Sequence, residues 1–294
     1  MNRGTLYAIG AYLIWGSFPV YFKQLHQVAA LEVIGHRIVW SFVALAAVVV
    51  LSREAGALLR NIRSARAVGT YAVAAALIAI NWLVFVWAVN NGHVVECSLG
   101  YFIAPLTSVL FGVALLRERM RAWQWVAISL AAAGVLYLTL SQGALPWIAL
   151  TLAISFGLYG LVKKVAPLGA VHGLTLETGL LLLPALIYLL YLERAGQGAF
   201  LHAGAATEGL LFGAGIVTTL PLLLFASATK RIPLSLIGLL QYITPTIHFL
   251  MGVLFYAEPF ARVRAIGFGL VWLALVIFSA ESWRARRAPP VVAD

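Results

Sequence analysis

The chain alternates between long apolar runs and short polar connections over almost its whole length. Runs of about 18 to 22 apolar residues can cross a hydrocarbon core of about 30 Å as a helix, at about 1.5 Å per residue. Ten such runs can be placed. They predict an all-α polytopic membrane protein with spans near residues 4–24, 30–51, 70–89, 94–116, 122–141, 146–163, 171–192, 208–228, 233–256 and 264–283.

The Lys and Arg residues of the connections predict the orientation of these spans. With the N-terminus inside, the inner connections hold 15 Lys and Arg residues and the outer connections hold 4, while Arg37 lies within a span. Because cytoplasmic loops carry the excess of basic residues, both termini are predicted to be cytoplasmic. The basic, Pro-containing stretch 284–294 is predicted to be a disordered cytoplasmic tail.

Composition agrees with a membrane protein and narrows the function. The 294 residues are 63% hydrophobic and only 10% charged, far from the usual make-up of a soluble domain. The net charge of +10 is scattered in short clusters between apolar runs rather than gathered in a stripe, which argues against nucleic-acid binding. The single cysteine, Cys97, excludes an intramolecular disulfide.

The second half of the chain resembles the first. A shift of 140 residues without gaps pairs Phe85 with Phe225, Pro105 with Pro245 and Glu118 with Glu258, and a shift of 141 pairs Gly16 with Gly157. We interpret residues 4–141 and 146–283 as two five-helix repeats. Because five is odd, the repeats must be inverted, an arrangement that places a substrate site near the midplane between them. Chance resemblance of apolar helices is the alternative.

The fourth span of each repeat carries a polar stripe. By helical periodicity one face holds Tyr101, Ala104, Pro105 and Ser108, and the equivalent face holds Gln241, Thr244, Pro245 and His248. Polar groups are costly against lipid, so these faces predict a shared cavity. Each proline removes a helical hydrogen bond, so Pro105 and Pro245 are candidate hinges or, equally, fixed kinks.

Other spans contribute candidate substrate contacts. Asn81 lies in the middle of the third span and needs a partner there, either a solute or another helix. Aromatic side chains within spans are the remaining candidates, with lipid or helix packing as the alternative for any one of them. Together with the polar stripes they favour an amphipathic organic solute over a bare ion. These aromatic candidates are Tyr12, Trp15, Trp82, Tyr101, Tyr159 and Tyr242.

Ionisable residues inside spans are candidates for coupling or gating. Arg37 lies about seven residues, or roughly 10 Å, inside the second span, where it would pair with Glu96 or Glu177 or would snorkel to the interface. A proton-coupled carrier would use His36, Glu96 or Glu177. Glu118 and Glu258 each precede another span, which predicts that they cap it.

Several segments together resemble the EamA family of the drug/metabolite transporter superfamily. They include "EVIGHRIVWSF", "NWLVFVWAVNNGHVVECSLGYFIAPL" and "AGIVTTLPLLLFASATKRIPLSLIGLLQYITP". The resemblance covers nearly the whole chain and implies ten helices in two EamA repeats with a transport role. Related sequences often carry Asn at the position of Ala104 and Gly at that of Thr244, so substrate identity does not transfer.

The function that these features favour is a secondary transporter in the bacterial inner membrane. It would move small organic metabolites or drug-like solutes by alternating access, with the lipid bilayer and a small-molecule substrate as its partners. No "GxxxxGK[ST]" motif is present, the spans lack Asp, and no two histidines share a short motif. These absences argue against an ATPase, a metal site or a cofactor, and therefore against an enzyme. A channel or a non-transporting scaffold remains the alternative.

Overall fold

The computed structural model of the protein describes residues 2–91, 93–140, 146–254 and 262–287. Apart from one 3₁₀ turn at Lys23–Leu25, every element in those ranges is an α-helix. The helices are α1 (Arg3–Phe22), α2 (Ala30–Leu51), α3 (Ala55–Ile62), α4 (Ala65–Asn90), α5 (Val94–Ala114), α6 (Ala122–Leu140), α7 (Trp147–Val165), α8 (Ala170–Arg194), α9 (Ala205–Thr229), α10 (Leu234–Gln241), α11 (Ile243–Leu254) and α12 (Arg262–Arg287).

The helices are long and apolar enough for a multi-pass membrane protein. In the part of the chain that the structure describes, eight segments satisfy the length and hydropathy of a span, one of them covering Leu234–Met251 across α10 and α11. The segment Ala265–Glu281 within α12 is a shorter apolar stretch, and α1 is not among the eight. Large apolar side chains on the outside, such as Leu51, Leu140 and Leu183, suit a surface that faces lipid.

Most of the predicted spans match the observed helices closely. The predicted and observed helix boundaries differ mainly in polar stretches of the sequence. The predicted range 30–51 coincides with α2. The short helix α3 was not predicted, because a run of eight residues in a basic connection carries no spanning signal. Helix α12 continues to Arg287, so the first four residues of the predicted tail are helical. Residues 288–294 lie outside the described ranges.

The predicted span 233–256 is divided into two helices. Helix α10 ends at Gln241, Tyr242 stands between, and α11 begins at Ile243. Pro245 lies in the first turn of α11 and has no N–H to donate to the carbonyl of Gln241, so the helical ladder is interrupted there. Helix α5 instead runs unbroken through Pro105.

Close helix packing builds the interior around the interrupted helix. Helix α1 packs on α9, α10 and α11, and α7 packs on α4 and α5. Helix α2 packs on α8 and α9, and α6 on α12. Gly238 lets α10 approach α5, since a Cβ there would lie 2.5 Å from the Pro105 carbonyl oxygen. These contacts leave a space lined mainly by α1, α2, α4, α5, α7, α9, α10 and α11.

Glu118 caps a helix, but not the one that follows it in sequence. Its carboxylate accepts hydrogen bonds from the backbone N–H groups of Leu234 at 2.6 Å and Ser235 at 2.9 Å, and from the Ser235 hydroxyl at 2.7 Å. The prediction that it caps the next span is therefore wrong: the carboxylate satisfies the first turn of α10, whose free N–H groups favour an anion. Glu258 lies outside the described residues.

Candidate functional site

A large cavity occupies the space among the helices. Its volume is about 1410 Å³, and it extends to the connection between α1 and α2, where His26 and Gln27 line it. Most of its lining comes from α1, α2, α4, α5, α9, α10 and α11, and α6, α7 and α8 contribute Leu138, Leu152, Phe156 and Tyr188. A volume of this size exceeds the usual range for a small-molecule pocket, so an organic solute and water would fit together.

Many of the predicted substrate contacts line this central cavity. They are Tyr12, Trp15, Asn81, Trp82, Tyr101, Gln241, Thr244 and His248. Of the residues predicted for coupling or gating, Arg37 and Pro245 line it as well. Residues of both polar stripes therefore line the same cavity. Not every residue of the two stripes lies in its lining.

Several of these polar groups already have partners in the protein. The Asn81 amide donates to the Leu152 carbonyl at 2.9 Å and to the Ser155 hydroxyl at 3.0 Å, which fastens α4 to α7. The Thr244 hydroxyl donates to the Tyr12 carbonyl at 3.0 Å. Both side chains lie in the cavity wall, and their bonds hold helices together.

Gln241 and His248 present polar atoms with incomplete bonding. Within the described ranges, the Oε1 atom of the buried Gln241 side chain has no hydrogen-bond partner. His248 makes one long contact, 3.4 Å from Nε2 to the Trp15 carbonyl oxygen, and its ring lies edge-on to Tyr101 with the centroids 5.8 Å apart. Buried polar groups are nearly always satisfied, so this part of the wall is suited to a solute or water.

Arg37 is the fixed cation of the cavity. Its Nε donates to the Thr218 hydroxyl at 2.8 Å. The guanidinium carbon lies 4.5 Å from the Trp82 ring centroid and 5.1 Å from that of Phe22, distances typical of cation–π contacts. The side chain therefore lies across the cavity wall among aromatic rings, where the sequence allowed either an ion pair or a snorkelling side chain.

Neither carboxylate predicted as a partner of Arg37 pairs with it. Glu177 binds Lys163 at 2.5 Å and accepts from the Tyr159 hydroxyl at 3.1 Å. Glu96 pairs with His93 at 3.0 Å. The carboxylate of Glu177 is directed to two residues of α7, and that of Glu96 to the residue before its own helix.

Other predicted residues lie away from the central cavity. Ser108 is buried and lies against Gly238, where α5 meets α10. Tyr242 donates from its hydroxyl to the Phe102 carbonyl at 3.2 Å. Pro105 lies on the same α5–α10 contact, with its carbonyl oxygen close to Gly238. Ser108 and Pro105 were predicted on a polar stripe and Tyr242 as an aromatic contact, but all three lie at the contact between α5 and the α10–α11 region rather than in the cavity.

His36 and Tyr159 are also outside the cavity lining. His36 lies 3.9 Å from Glu32, and its ring centroid is 4.7 Å from that of Phe200. The Glu32 carboxylate itself accepts from the N–H groups of Ala199 and Phe200 at 2.7 and 3.2 Å. Tyr159 is fully buried behind the cavity. The sequence placed both residues within spans but did not indicate which neighbours each would contact.

An aromatic cluster from α1, α7 and α9 lies along the wall of the cavity. Tyr12, Trp15 and Phe156 line the cavity, and Phe225 packs beneath them with centroids 6.4, 5.6 and 5.4 Å away. Tyr159 stacks on Phe225 at 6.0 Å. We call these five residues the aromatic floor. The sequence analysis did not name Phe225 as a site residue. The shift of 140 residues had nevertheless paired it with Phe85, which lines the cavity.

Charged side chains lie beyond the aromatic floor. They include the buried Lys163–Glu177 pair and Lys164, which donates to the carbonyls of Thr229 and Ile232 at 3.2 and 2.7 Å. Lys230 follows α9 and donates to the Ala166 carbonyl. Partial burial and then the nearby charges of Lys163 and Lys164 lower the pKa of Lys230. No group of three His, Cys, Asp or Glu residues that could hold a metal ion occurs among the described residues.

The family comparison gives this site a context. Residues 2–140 match the model of the EamA-like transporter family. Protein RarD of Streptomyces exfoliatus is 44% identical over 286 residues, covering 97% of this chain and 91% of the relative. An uncharacterized transporter of Bacillus subtilis is 44% identical over 293 residues, covering 98% and 97%. Protein RarD of Escherichia coli is 42% identical over 286 residues, covering 97% of each chain.

The fold also resembles a solved structure. A crystal structure of another protein superposes on this one with a TM-score of 0.70 at 18% sequence identity, covering 96% of this chain and 98% of that chain. At this identity the likeness establishes a shared fold. The near-complete coverage of both chains shows that the helical arrangement is shared as a whole.

Proposed function

The chain belongs to the EamA-like transporter family, with relatives named RarD, and we propose that it is a secondary transporter of the bacterial inner membrane. Its cargo is a small organic metabolite or drug-like solute, moved by alternating access. The observation that carries this proposal is a cavity large enough for an organic solute with water, which extends to the α1–α2 connection. We infer that the five packed aromatic rings of the floor close it on the opposite side.

The architecture proposed with this function is ten spans in two inverted repeats, residues 4–141 and 146–283. Helix packing supports it: α1 meets α9 and α11, and the equivalent helix α7 meets α4 and α5. Close contacts support it as well. A Cβ added at Gly16 would lie 2.6 Å from Ile247, and one added at Gly157 would lie 2.6 Å from Thr107, which is 140 residues before Ile247.

The orientation proposed from the basic residues makes the cavity face outward. With both termini in the cytoplasm, the α1–α2 connection lies on the outer face, and the cavity extends to it. The aromatic floor and the Lys163–Glu177 pair then lie on the cytoplasmic side. Access from the cytoplasm would require α7, α8 and α9 to separate, because these helices supply Tyr159, Lys163, Glu177 and Phe225.

The proposed roles of the side chains follow from their positions. Tyr101, Gln241 and His248 contact the solute through polar atoms, and Trp15 and Trp82 supply apolar walls. Glu177 acts on the gate, where its ion pair with Lys163 joins α7 to α8. Pro245 allows bending where α10 and α11 already part. Proton coupling would use His36, Glu96 or Glu177.

An uptake screen in liposomes tests the proposal. Purified protein is reconstituted and supplied with radiolabelled amino acids, aromatic acids and related metabolites, with and without a pH gradient. We expect saturable uptake of at least one solute, reduced by Tyr101→Ala, Gln241→Ala and His248→Ala. Thr70→Ala is the control, because that hydroxyl bonds its own helix at the Arg66 carbonyl. Uptake that none of the three cavity variants changes would remove the assignment.

A further inference from the structure

The fixed charge in the lining of the central cavity is positive. Among the described residues that line it, Arg37 carries a permanent positive charge, and none is an aspartate or a glutamate. The remaining titratable side chains of the lining are histidines, tyrosines and Cys97. Low-dielectric walls strengthen the field of such a charge, so the cavity favours a solute with a negative group.

Arg37 is held in a fixed direction while part of its guanidinium is unbound. Nε donates to Thr218 at 2.8 Å, and the plane lies near the rings of Trp82, Phe22 and Phe18 with the carbon 4.5, 5.1 and 5.9 Å from their centroids. Among the hydrogen bonds of the described residues, none uses its two terminal nitrogens. Those nitrogens form the fork that binds carboxylate in a bidentate manner.

The carboxylates that could neutralise Arg37 inside the protein are engaged elsewhere. Glu177 binds Lys163 at 2.5 Å, and Glu96 pairs with His93 at 3.0 Å. Glu32, near it in sequence, accepts from the N–H groups of Ala199 and Phe200. A cation this deep in a span normally has a counter-charge or a functional role.

We propose that Arg37 is the anion subsite of the cavity and that the transported solute carries a carboxylate on an apolar or aromatic body. The inference rests on the proposed transport function and adds the chemical class of the solute. The guanidinium binds the carboxylate through its terminal nitrogens. Trp15, Trp82 and Phe85 contact the body of the solute, and Gln241 and Tyr101 bind its other polar groups.

Matched pairs of ligands test the anion subsite separately from transport. Isothermal titration calorimetry on the purified protein compares 3-phenylpropionate with 3-phenylpropionamide, and L-phenylalanine with L-phenylalaninamide, at concentrations up to millimolar. Within each pair the apolar body is the same, and a neutral carboxamide of similar shape replaces the carboxylate. We expect at least one acid to bind about tenfold or more tightly than its amide, the difference typical of hydrogen bonds to a charged group.

Variants assign that preference to one side chain. In Arg37→Gln the preference for the acid should disappear while affinity for the amide changes little, and Arg37→Lys should retain part of the preference because it keeps the charge but not the fork. Arg63→Gln, at an exposed residue that follows α3, removes the same charge and should change neither affinity. If Arg37→Gln does not fold, Arg37→Lys and the wild-type ligand pairs still decide the question.

The outcomes separate the two proposals. Acid binding that depends on Arg37, without uptake of that acid above protein-free liposomes, would support the subsite and contradict the transporter. Saturable uptake of a solute whose acid and amide forms compete equally, in wild type and in Arg37→Gln, would support the transporter and overturn the subsite. Failure of both acids to bind at millimolar concentration would overturn the subsite as well.

Discussion

The buried Lys163–Glu177 pair and Arg37, which lines the central cavity, are stabilised in different ways. Lys163 and Glu177 lie in direct contact at 2.5 Å, with side chains 3% and 2% exposed, and the Tyr159 hydroxyl donates to the same carboxylate. Arg37 instead lies among aromatic rings with one hydrogen bond to Thr218. A paired charge holds helices together, whereas a charge without a counter-ion is available to a ligand.

The Lys163–Glu177 pair should show strong energetic coupling. Lys163→Met or Glu177→Gln alone leaves a buried group without its partner, so each should lower the free energy of unfolding by about 3 to 5 kcal/mol. The double variant should lose clearly less than the sum, because no isolated charge remains. Unfolding in detergent can be followed by reaction of the buried Cys97 with a thiol-reactive dye. Strict additivity would contradict the prediction.

An exposed pair provides the control for this cycle. His202 and Glu193 lie 2.9 Å apart with side chains 59% and 49% exposed. Exposed ion pairs contribute at most about 1 kcal/mol. His202→Ala and Glu193→Gln should therefore lower the free energy of unfolding far less than the substitutions at the buried pair.

Glu118 should stabilise the protein through the first turn of α10. Glu118→Gln replaces a carboxylate that accepts three hydrogen bonds from Leu234 and Ser235 and lies 3.8 Å from Lys164. The free energy of unfolding should fall by about 1 to 2 kcal/mol, in line with the loss of a charged helix cap. The same thiol-labelling measurement applies. A variant as stable as wild type would contradict this role.

Single residues could be assigned to the interior from sequence, but their neighbours could not. Periodicity put Tyr101, Gln241 and His248 on cavity-facing stripes, where the structure also has them. The same reasoning put Ser108 on a stripe, yet it lies against Gly238. Helical periodicity shows on which face of a helix a residue lies. How closely the next helix approaches that face depends on long-range packing, which cannot be derived from a single sequence.

At the scale of elements, the interruption between α10 and α11 is the main irregularity of the described fold. Gln241 ends one helix, Pro245 lies in the first turn of the next, and both residues line the cavity. The sequence predicted a bend from the proline but not which of the two equivalent prolines would divide its helix. Helix α5 keeps its continuity at Pro105, where Thr107 bonds the Ala104 and Ala153 carbonyls.

Restoring a backbone donor at Pro245 should slow transport. Pro245→Ala allows the N–H of residue 245 to bond the Gln241 carbonyl and so favours one continuous helix. We expect a lower maximal uptake rate in liposomes with the protein still folded. Pro105→Ala, in a helix that is already continuous, should have a smaller effect. Equal effects of the two substitutions would contradict a special role for the α10–α11 interruption.

The element that sequence reasoning missed is short and amphipathic. Helix α3 spans eight residues, none of them buried, and its Leu59 and Ile62 are 62% and 43% exposed. A spanning signal needs about 20 apolar residues, so a surface helix in a basic connection escapes a search for spans. Its apolar side chains suit the interface between lipid and water.

At the scale of the whole molecule, the two repeats make a quantitative prediction. Gly16→Ala would bring a methyl group within 2.6 Å of Ile247, and Gly157→Ala would bring one within 2.6 Å of Thr107. Each should lower the free energy of unfolding by about 1 to 3 kcal/mol, typical of overpacking, and by similar amounts if the two positions are equivalent.

Gly69→Ala is the matched control for these substitutions. A Cβ at this helical position has no neighbour within 4 Å. The substitution should leave the free energy of unfolding unchanged or raise it by up to about 1 kcal/mol, because alanine favours the helix. Effects at Gly16 and Gly157 no larger than that at Gly69 would contradict the close packing of α1 on α11 and of α7 on α5.

Counterflow in liposomes tests the central claim of alternating access most directly. Liposomes with reconstituted protein are preloaded with the unlabelled form of a solute taken up in the screen, and the initial uptake of its labelled form is measured. A carrier whose cavity opens to one side at a time should show saturable uptake that preloading accelerates, and Trp82→Ala should reduce it while Thr70→Ala does not. Uptake that rises linearly with concentration and is indifferent to preloading would contradict the account.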